Sequence, residues 1–508
     1  MKRAFAMHAN DHPSSERSAT SPDLDLCPTP NVVATDTPAT ADAVPSSAGR
    51  RPHSLWRLPA YRNWFAADTT DVFAVSLRTF AIPLIGLAIS GSPFVAGLLV
   101  TVESTIGLAL MSVGGAITDR HDRRRLMILL GLIGGALSAV TTFLLATGTM
   151  GTGLFAAIVV LFAVMNGLLG PSNDAMLKSL VPMDRFAKAQ AIREARESCV
   201  ELSGGAIGGL LYRIVGWFPF LVSAVLYLVA AVMAVRLPRH TADDTVGTGA
   251  APRISVAGAL ATAGTRGSDD ADATTTAANP TAGAQGNGRA PGRGSDRVSS
   301  FLAQFVEGWR WTLTRGTILA AIAQGAVVNV ACYGSIVGVQ IMLAERGTDA
   351  ALIGLVGTAT GVSALIGSLA AGWLVDHIPT GRLIILTFAV LTAAMIPLLF
   401  TDSYGMVVAC MAATSLLFPA LNAGELGFIF GRTPDDMQGR VSTVFETTIG
   451  VPGALTPALV GWLLQTSGLG FRAVMVLVVG CAAVGLLLAC VTPTRRIPRP
   501  EHWELTEL

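Results

Sequence analysis

The sequence predicts an all-α membrane protein, with twelve transmembrane helices in two pseudo-symmetric six-helix bundles. Three observations predict this class. The 508 residues are 51% hydrophobic and only 14% charged, against roughly 25% charged in soluble domains. Apolar runs long enough to cross a bilayer recur along the chain, and they fall into two similar sets of six. The net charge of +1, with arginines gathered in short loops, leaves no basic face for nucleic acid.

A helix needs about 20 apolar residues to cross a bilayer. Such runs fall at 64–88, 94–117, 126–147, 152–176, 190–212 and 217–236, then at 317–343, 351–375, 383–401, 405–430, 440–465 and 471–491. The expected organisation is a disordered cytoplasmic tail (1–55), a first bundle (56–237), a disordered linker (238–300), a second bundle (301–494) and a short tail (495–508). The linker is rich in Ala, Thr, Gly, Ser, Asp and Arg and has too little apolar surface to fold. Residues 1–55 are polar and lack the apolar core of a cleavable signal. Ahead of the seventh run, Phe301, Phe305, Trp309 and Leu313 recur at helical spacing, either as an interfacial helix or as an extension of that span. Six cysteines are scattered singly without metal-ligand spacing and read as small hydrophobes.

Loop charge orients the spans. The segments on one side hold Arg50, Arg51, Arg57, Arg62, Arg120, Arg123 to Arg125, Lys178, Arg185, Lys188, Arg236, Arg239, Arg382, Arg432, Arg440, Arg495, Arg496 and Arg499, and those on the other only Arg213, Arg346 and Arg472. Because clustered Lys and Arg resist translocation, both termini and the linker are expected in the cytoplasm of a multi-pass cell-membrane protein. An offset of 252 residues pairs Pro182 with Pro434, Asp184 with Asp436, Lys188 with Arg440, Glu194 with Glu446 and Gly209 with Gly461. The charged turn at 115–125 has an eroded copy at 372–382, read with one extra residue in its loop.

With twelve spans, this repeat, and Gly115-x-x-x-Asp119-Arg120-x-x-Arg123-Arg124 between spans two and three, residues from about 55 to 495 resemble the major facilitator superfamily. Arg62-Asn63-Trp64-Phe65 leading the first span, Gly91-Ser92-Pro93 with Gly97 opening the second, and Glu307-Gly308 before the seventh are similar to its bacterial drug and siderophore exporters. The commonest loop pattern of the superfamily has Gly where this chain has Asp122. The resemblance implies a cytoplasmic gate of Gly115, Asp119, Arg120, Arg123 and Arg124, with Asp376 and Arg382 as the second copy. There the Asp119 carboxylate engages neighbouring helix ends in the outward-facing state and the arginines pair with acids on adjacent helices. It implies a monomeric, proton-coupled exporter of amphipathic small molecules, with no cofactor and no resident metal. An importer of a small metabolite and a non-transporting sensor or scaffold are the rival readings. The Gly-Pro pair of the superfamily's antiporter motif is missing from 204–209, so antiport follows from overall resemblance alone.

Ionisable groups within spans cost roughly 2.5–3.5 kcal/mol each at mid-bilayer and so need partners or a wet cavity. Asp68, Asp71 and Arg78 project from a similar side of the first span. Asp71 and Arg78 lie about two turns apart, too far for unaided contact, so water or another helix must mediate. Glu103, near mid-depth, is placed either for reversible protonation or for an interhelical contact. The fifth span carries Glu194, Glu197 and Glu201 interleaved with Arg193 and Arg196, with Glu446 as the repeat partner of Glu194. Glu194 and Glu446 suggest gate contacts, and Glu201 is a second coupling candidate. Asp174 and Glu425 read as capping or pairing groups, and Asn173, Gln324 and Asn329 chiefly as interhelical hydrogen-bonders. No phosphate-binding loop or nucleophile elbow occurs, so the reading is not an enzyme.

Overall fold

The computed structural model describes residues 55–181, 183–238, 306–434 and 437–505. Expectations for the tail 1–54, the linker 239–305, Phe301, Phe305, Asp436 and the Asp184 and Glu201 side chains lie outside those residues. The first half comprises α1 (Pro59–Ser90), α2 (Pro93–Thr118), α3 (Arg123–Ala146), α4 (Thr152–Leu169), α5 (Pro171–Leu180), α6 (Met183–Ile214) and α7 (Phe218–Val235). The second comprises α8 (306–313), α9 (Gly316–Glu345), α10 (Ala350–His377), α11 (Thr380–Met395), α12 (Tyr404–Ser415), α13 (Phe418–Arg432), α14 (Gln438–Thr466) and α15 (Phe471–Val491).

Eleven helical segments among the described residues are long and apolar enough to cross a membrane, with α4 continuing into α5 and α12 into α13. Pro171 and Pro419 sit at those two junctions, where a missing N–H and a ring clash kink a helix. The twelfth expected span is α6, whose 32 residues pack against α1 and α10. Its first half carries Arg185, Lys188, Arg193, Glu194, Arg196 and Glu197, so it is polar by composition, and Arg193 and Arg196 are paired with acids of α5 and α1. Gly91, in the left-handed region, closes α1, and the Ser92 hydroxyl then caps α2 by accepting from the Val95 N–H, with Pro93 at its start.

Within the halves α1 packs on α6 and α7, α3 on α7, α9 on α14 and α15, and α11 on α15. Between the halves α2 meets α14 and α6 meets α10, which are equivalent contacts under the repeat. Glycines make these approaches possible. On α6, Gly204 and Gly208 face Ser76 and Phe80 of α1, whereas Gly205 and Gly209 face the backbone of Gly354 and Ala350 on α10. On α14, Gly453 faces Tyr333 of α9, and Gly461 faces Pro93 and Phe94 of α2. A Cβ on Gly97 would lie 2.0 Å from the Pro457 carbonyl oxygen, so these two helices touch backbone to backbone.

With α6 added to the eleven, the described residues hold an even number of spans, which puts Leu55 and residues 493–505 on one face, here called the terminal face. Arg213, Arg346 and Arg472 lie at helix ends on the opposite face. There Arg213 Nε stands 2.9 Å from Asp349 Oδ2 across the halves, and the Ser92 hydroxyl donates to Gln465 Oε1 at 2.7 Å. Arg346 pairs with Asp402 in the loop after α11, and its hydrogen bond holds that carboxyl below the usual carboxylate range.

Two sequence expectations change, and one open alternative narrows. Helix α3 starts at Arg123 and α11 at Thr380, the same distance along the chain from Gly115 and Gly372, so the second loop has no extra residue and Arg382 matches Arg125. The 306–313 segment is separate from α9, broken at Thr314 and Arg315, and held to α14 by a 2.7 Å Glu307–Arg440 pair with Gly308 against the Arg440 backbone. Residues 493–505, expected from 495 on as a tail, are folded against the second half.

Candidate functional site

Buried charge concentrates in the first half. Asp68 and Asp71 of α1, three residues apart, are 3% and 8% exposed, and Arg78, two turns further on, is fully buried. Arg196 of α6 reaches both Asp68 (2.8 Å) and Glu197 (3.1 Å). Arg193, three residues earlier on the same helix, pairs with Asp174 of α5 at 2.7 Å and with Glu197 at 2.9 Å. A continuous ladder of alternating charge therefore joins α1, α6 and α5. The Asp174 pairing expected from sequence is present.

Asp71 stands beside that ladder without a cation of its own. The Asn173 side-chain amide donates to its Oδ2 at 2.9 Å, and Oδ1 has no hydrogen-bond partner among the described residues. It faces a crevice lined by Ala67, Met127, Leu130, Gly131 and Ala230, too tight to admit water. Trp64 fixes this corner by donating to the Asn173 carbonyl at 3.0 Å. Among the described contacts, three carboxyls, Asp68, Asp174 and Glu197, share the guanidiniums of Arg193 and Arg196, and Asp71 beside them is a fourth carboxyl bonded to Asn173.

Arg78 does not approach Asp71. It pairs with Glu103 of α2, and its guanidinium lies over the Phe162 ring, 4.4 Å from the centroid. Glu103 thus makes an interhelical ion pair with a buried arginine, the contact that was one of its two sequence readings. Phe162 carried no charge or motif and was not singled out in the sequence.

The second half holds a different group. Glu425 of α13 is 7% exposed and its Oε1 has no partner among the described residues, so that oxygen neither caps nor pairs as expected. Glu446 accepts from the Ser442 hydroxyl one turn earlier on α14, at 3.2 Å. Gln324 donates to Thr492 and Thr494, and Asn329 to the Gly325 carbonyl on its own helix.

The charged turn also departs from expectation. Arg123 donates to the Ala175 carbonyl of α5 at 2.8 Å and Arg124 to the Val235 carbonyl at the end of α7 at 2.5 Å, so among the described residues these arginines tie helices through backbone oxygens. Asp119 closes α2, whereas Asp122 caps the start of α3 by accepting from the Arg124 N–H at 3.0 Å. Arg120, Asp376 and Arg382 are exposed. Nothing lies within 4 Å of a Cβ built on Gly115, while one on Gly114 would sit 2.1 Å from the Gly167 carbonyl oxygen. Gly114→Ala should therefore lower thermal stability, by about 1–3 kcal/mol, and Gly115→Ala should leave it unchanged. Equal loss in both variants, measured by thermal unfolding in detergent, would remove this distinction.

The family model for the Major Facilitator Superfamily matches residues 69–331 and 316–507. The chain belongs to that superfamily. Among solved structures it is similar to a bacterial homologue of the iron transporter ferroportin in an inward-facing state, with TM-score 0.60 and 13% identity over 86% of this chain and 98% of that one. It is also similar to the nucleoside transporter NupG, with TM-score 0.56 and 10% identity over 84% and 99% of the two chains. A bacterial metal transporter matches with TM-score 0.57 and 11% identity over 86% and 98%. No curated protein matches the sequence. Family and fold together make this major facilitator chain a multi-pass membrane transporter of a small molecule and not an enzyme.

Proposed function

We propose that the chain is a proton-coupled exporter that moves amphipathic small molecules out of the cell by alternating access, with its terminal face toward the cytoplasm. The observation that carries this reading is the surplus of two carboxyls over guanidiniums in the α1–α5–α6 network. Where such a surplus includes buried carboxyls, here Asp68 and Asp71, it must be balanced, and protons or a cationic cargo are species that can balance it while coming and going. The lone hydrogen bond to Asp71 makes it the preferred proton carrier. Glu103 is committed to Arg78, leaving Asp71 ahead of it. The skew of Lys and Arg supports the cytoplasmic terminal face, and the resemblance of the 62–65, 91–97 and 307–308 sequence motifs to drug and siderophore exporters supports the direction.

The structural neighbours are a homologue of an iron transporter, a nucleoside transporter and a metal transporter, and at 10–13% identity they share the fold alone. The described residues include no group of three or more His, Cys, Asp or Glu placed to hold a metal ion.

Asp71→Asn keeps the shape of the side chain and removes its titratable charge. In vesicles with an imposed proton gradient and ethidium as the transported probe, this variant is expected to lose gradient-driven accumulation while remaining as stable as the parent. Gradient-driven transport by the variant would move coupling away from Asp71. Accumulation in the direction opposite to export would favour the importer.

A further inference from the structure

The two halves join corresponding helices at the terminal face with different parts. In the first half, Arg123 and Arg124 at the start of α3 tie that helix to α5 and to the end of α7 through backbone carbonyls. The repeat maps α3, α5 and α7 onto α11, α13 and α15. In that register Thr380 and Gly381 replace the two arginines, and Pro379 replaces the capping Asp122. The second half therefore has neither guanidinium and no side-chain acceptor for the start of α11.

The same three helices are nonetheless joined. Beyond α15 the chain turns through Pro493–Arg496, and Thr494 and Ile497 are buried to 0% and 1% exposure. The Thr380 N–H donates to the Pro498 carbonyl at 3.3 Å and the Gly381 N–H to the Ile497 carbonyl at 3.0 Å. These are the first two N–H groups of α11, which a helix start leaves without intrahelical acceptors. The Trp503 indole N–H is shared between the Thr380 hydroxyl and the Pro498 carbonyl, each at 3.2 Å. Its ring packs edge-on to Phe428, with centroids 6.0 Å apart, and covers Gly427 of α13. Gln324 adds α9 to the same cluster by donating to Thr494 at 2.9 Å.

We propose that residues 493–505 form a strap that replaces, in the second half, the arginine ties and helix cap supplied by the charged turn in the first. Steric exclusion supports the exchange. A Cβ on Gly381 would lie 2.4 Å from the Thr494 carbonyl oxygen and 2.5 Å from the Arg495 carbonyl carbon, so a docked strap and an arginine side chain at this position cannot coexist. Erosion of the second motif and docking of the chain end are two aspects of one arrangement.

The test compares the full chain with one ending at Thr492, both purified in detergent, and needs no transport substrate. Amide exchange at Thr380 and Gly381 should be about tenfold faster without the strap, with a lower unfolding temperature. The pair Thr380→Arg and Gly381→Arg, made in both chains, should lower the unfolding temperature of the full chain and raise that of the truncated one. Unchanged exchange on truncation, or an equal effect of the arginine pair in both chains, would overturn the proposal. If the truncated chain does not insert, Trp503→Ala in the full chain decides: faster exchange at Thr380 supports the strap and unchanged exchange overturns it.

Discussion

Glu103→Gln is expected to destabilise the folded transporter by about 3–5 kcal/mol, the usual loss when one member of a buried ion pair is removed and the other stays charged. Arg78 is fully buried, and its guanidinium has Glu103 as its ion-pair partner and Phe162 on its face. The amide keeps a hydrogen-bond acceptor and loses the charge that balances the guanidinium. Replacing both residues with leucine should recover most of that loss, because two apolar side chains of similar bulk leave no charge to compensate. Thermal unfolding of the single and double variants measures both effects. If Glu103→Gln unfolds like the parent and only the pH dependence of transport changes, Glu103 is a proton carrier and not a structural counterion.

The seam between the halves should be equally sensitive. Gly97→Ala places a Cβ 2.0 Å from the Pro457 carbonyl oxygen, and Gly209→Ala places one 2.2 Å from that of Ala350, both against backbone that cannot rotate away. Each costs about 1–3 kcal/mol of overpacking in the conformation that closes the opposite face. Both together approach the roughly 5.5 kcal/mol that carries a two-state equilibrium from 99:1 to 1:99. The double variant should remain inserted, lose transport, and open the opposite face. A cysteine placed at Ser92, whose hydroxyl meets Gln465 across the seam, reports the opening through faster thiol labelling from that side. Unchanged labelling and transport would show that the seam does not govern the switch.

Much of the architecture was legible because helix length and apolar periodicity are local properties. The span count, the repeat, the Gly91-Ser92-Pro93 junction and the paired glycines of α6 all follow from residues close together in the chain. The glycines also implied close backbone approach, although not which neighbour each would meet. Spacing alone divides them into one face toward α1 and another toward α10 only once the helices are placed.

The pairing of charges was not legible in the same way. Asp71 and Arg78 share a side of one helix, yet each bonds to a different neighbour, Asn173 and Glu103, because partners depend on how α2 and α5 are rotated about their axes. Gly115 carries the motif while Gly114 makes the close contact, a difference of one residue and about 100° around a helix. Residues 495–508 looked like a polar tail because their apolar anchors are few, and their binding surface includes Phe428 and Thr380, 75 and 123 positions before Trp503.

The sequence by itself determined that this is a duplicated membrane protein of the major facilitator kind, with a charged turn and buried acids in its first half, since hydropathy and repeat are written locally. Only the tertiary structure decided which acid lacks a cation, which arginine Glu103 serves, and what stands in for the charged turn in the second half. Those outcomes rest on helix rotation and on contacts between distant segments, for which no local pattern codes.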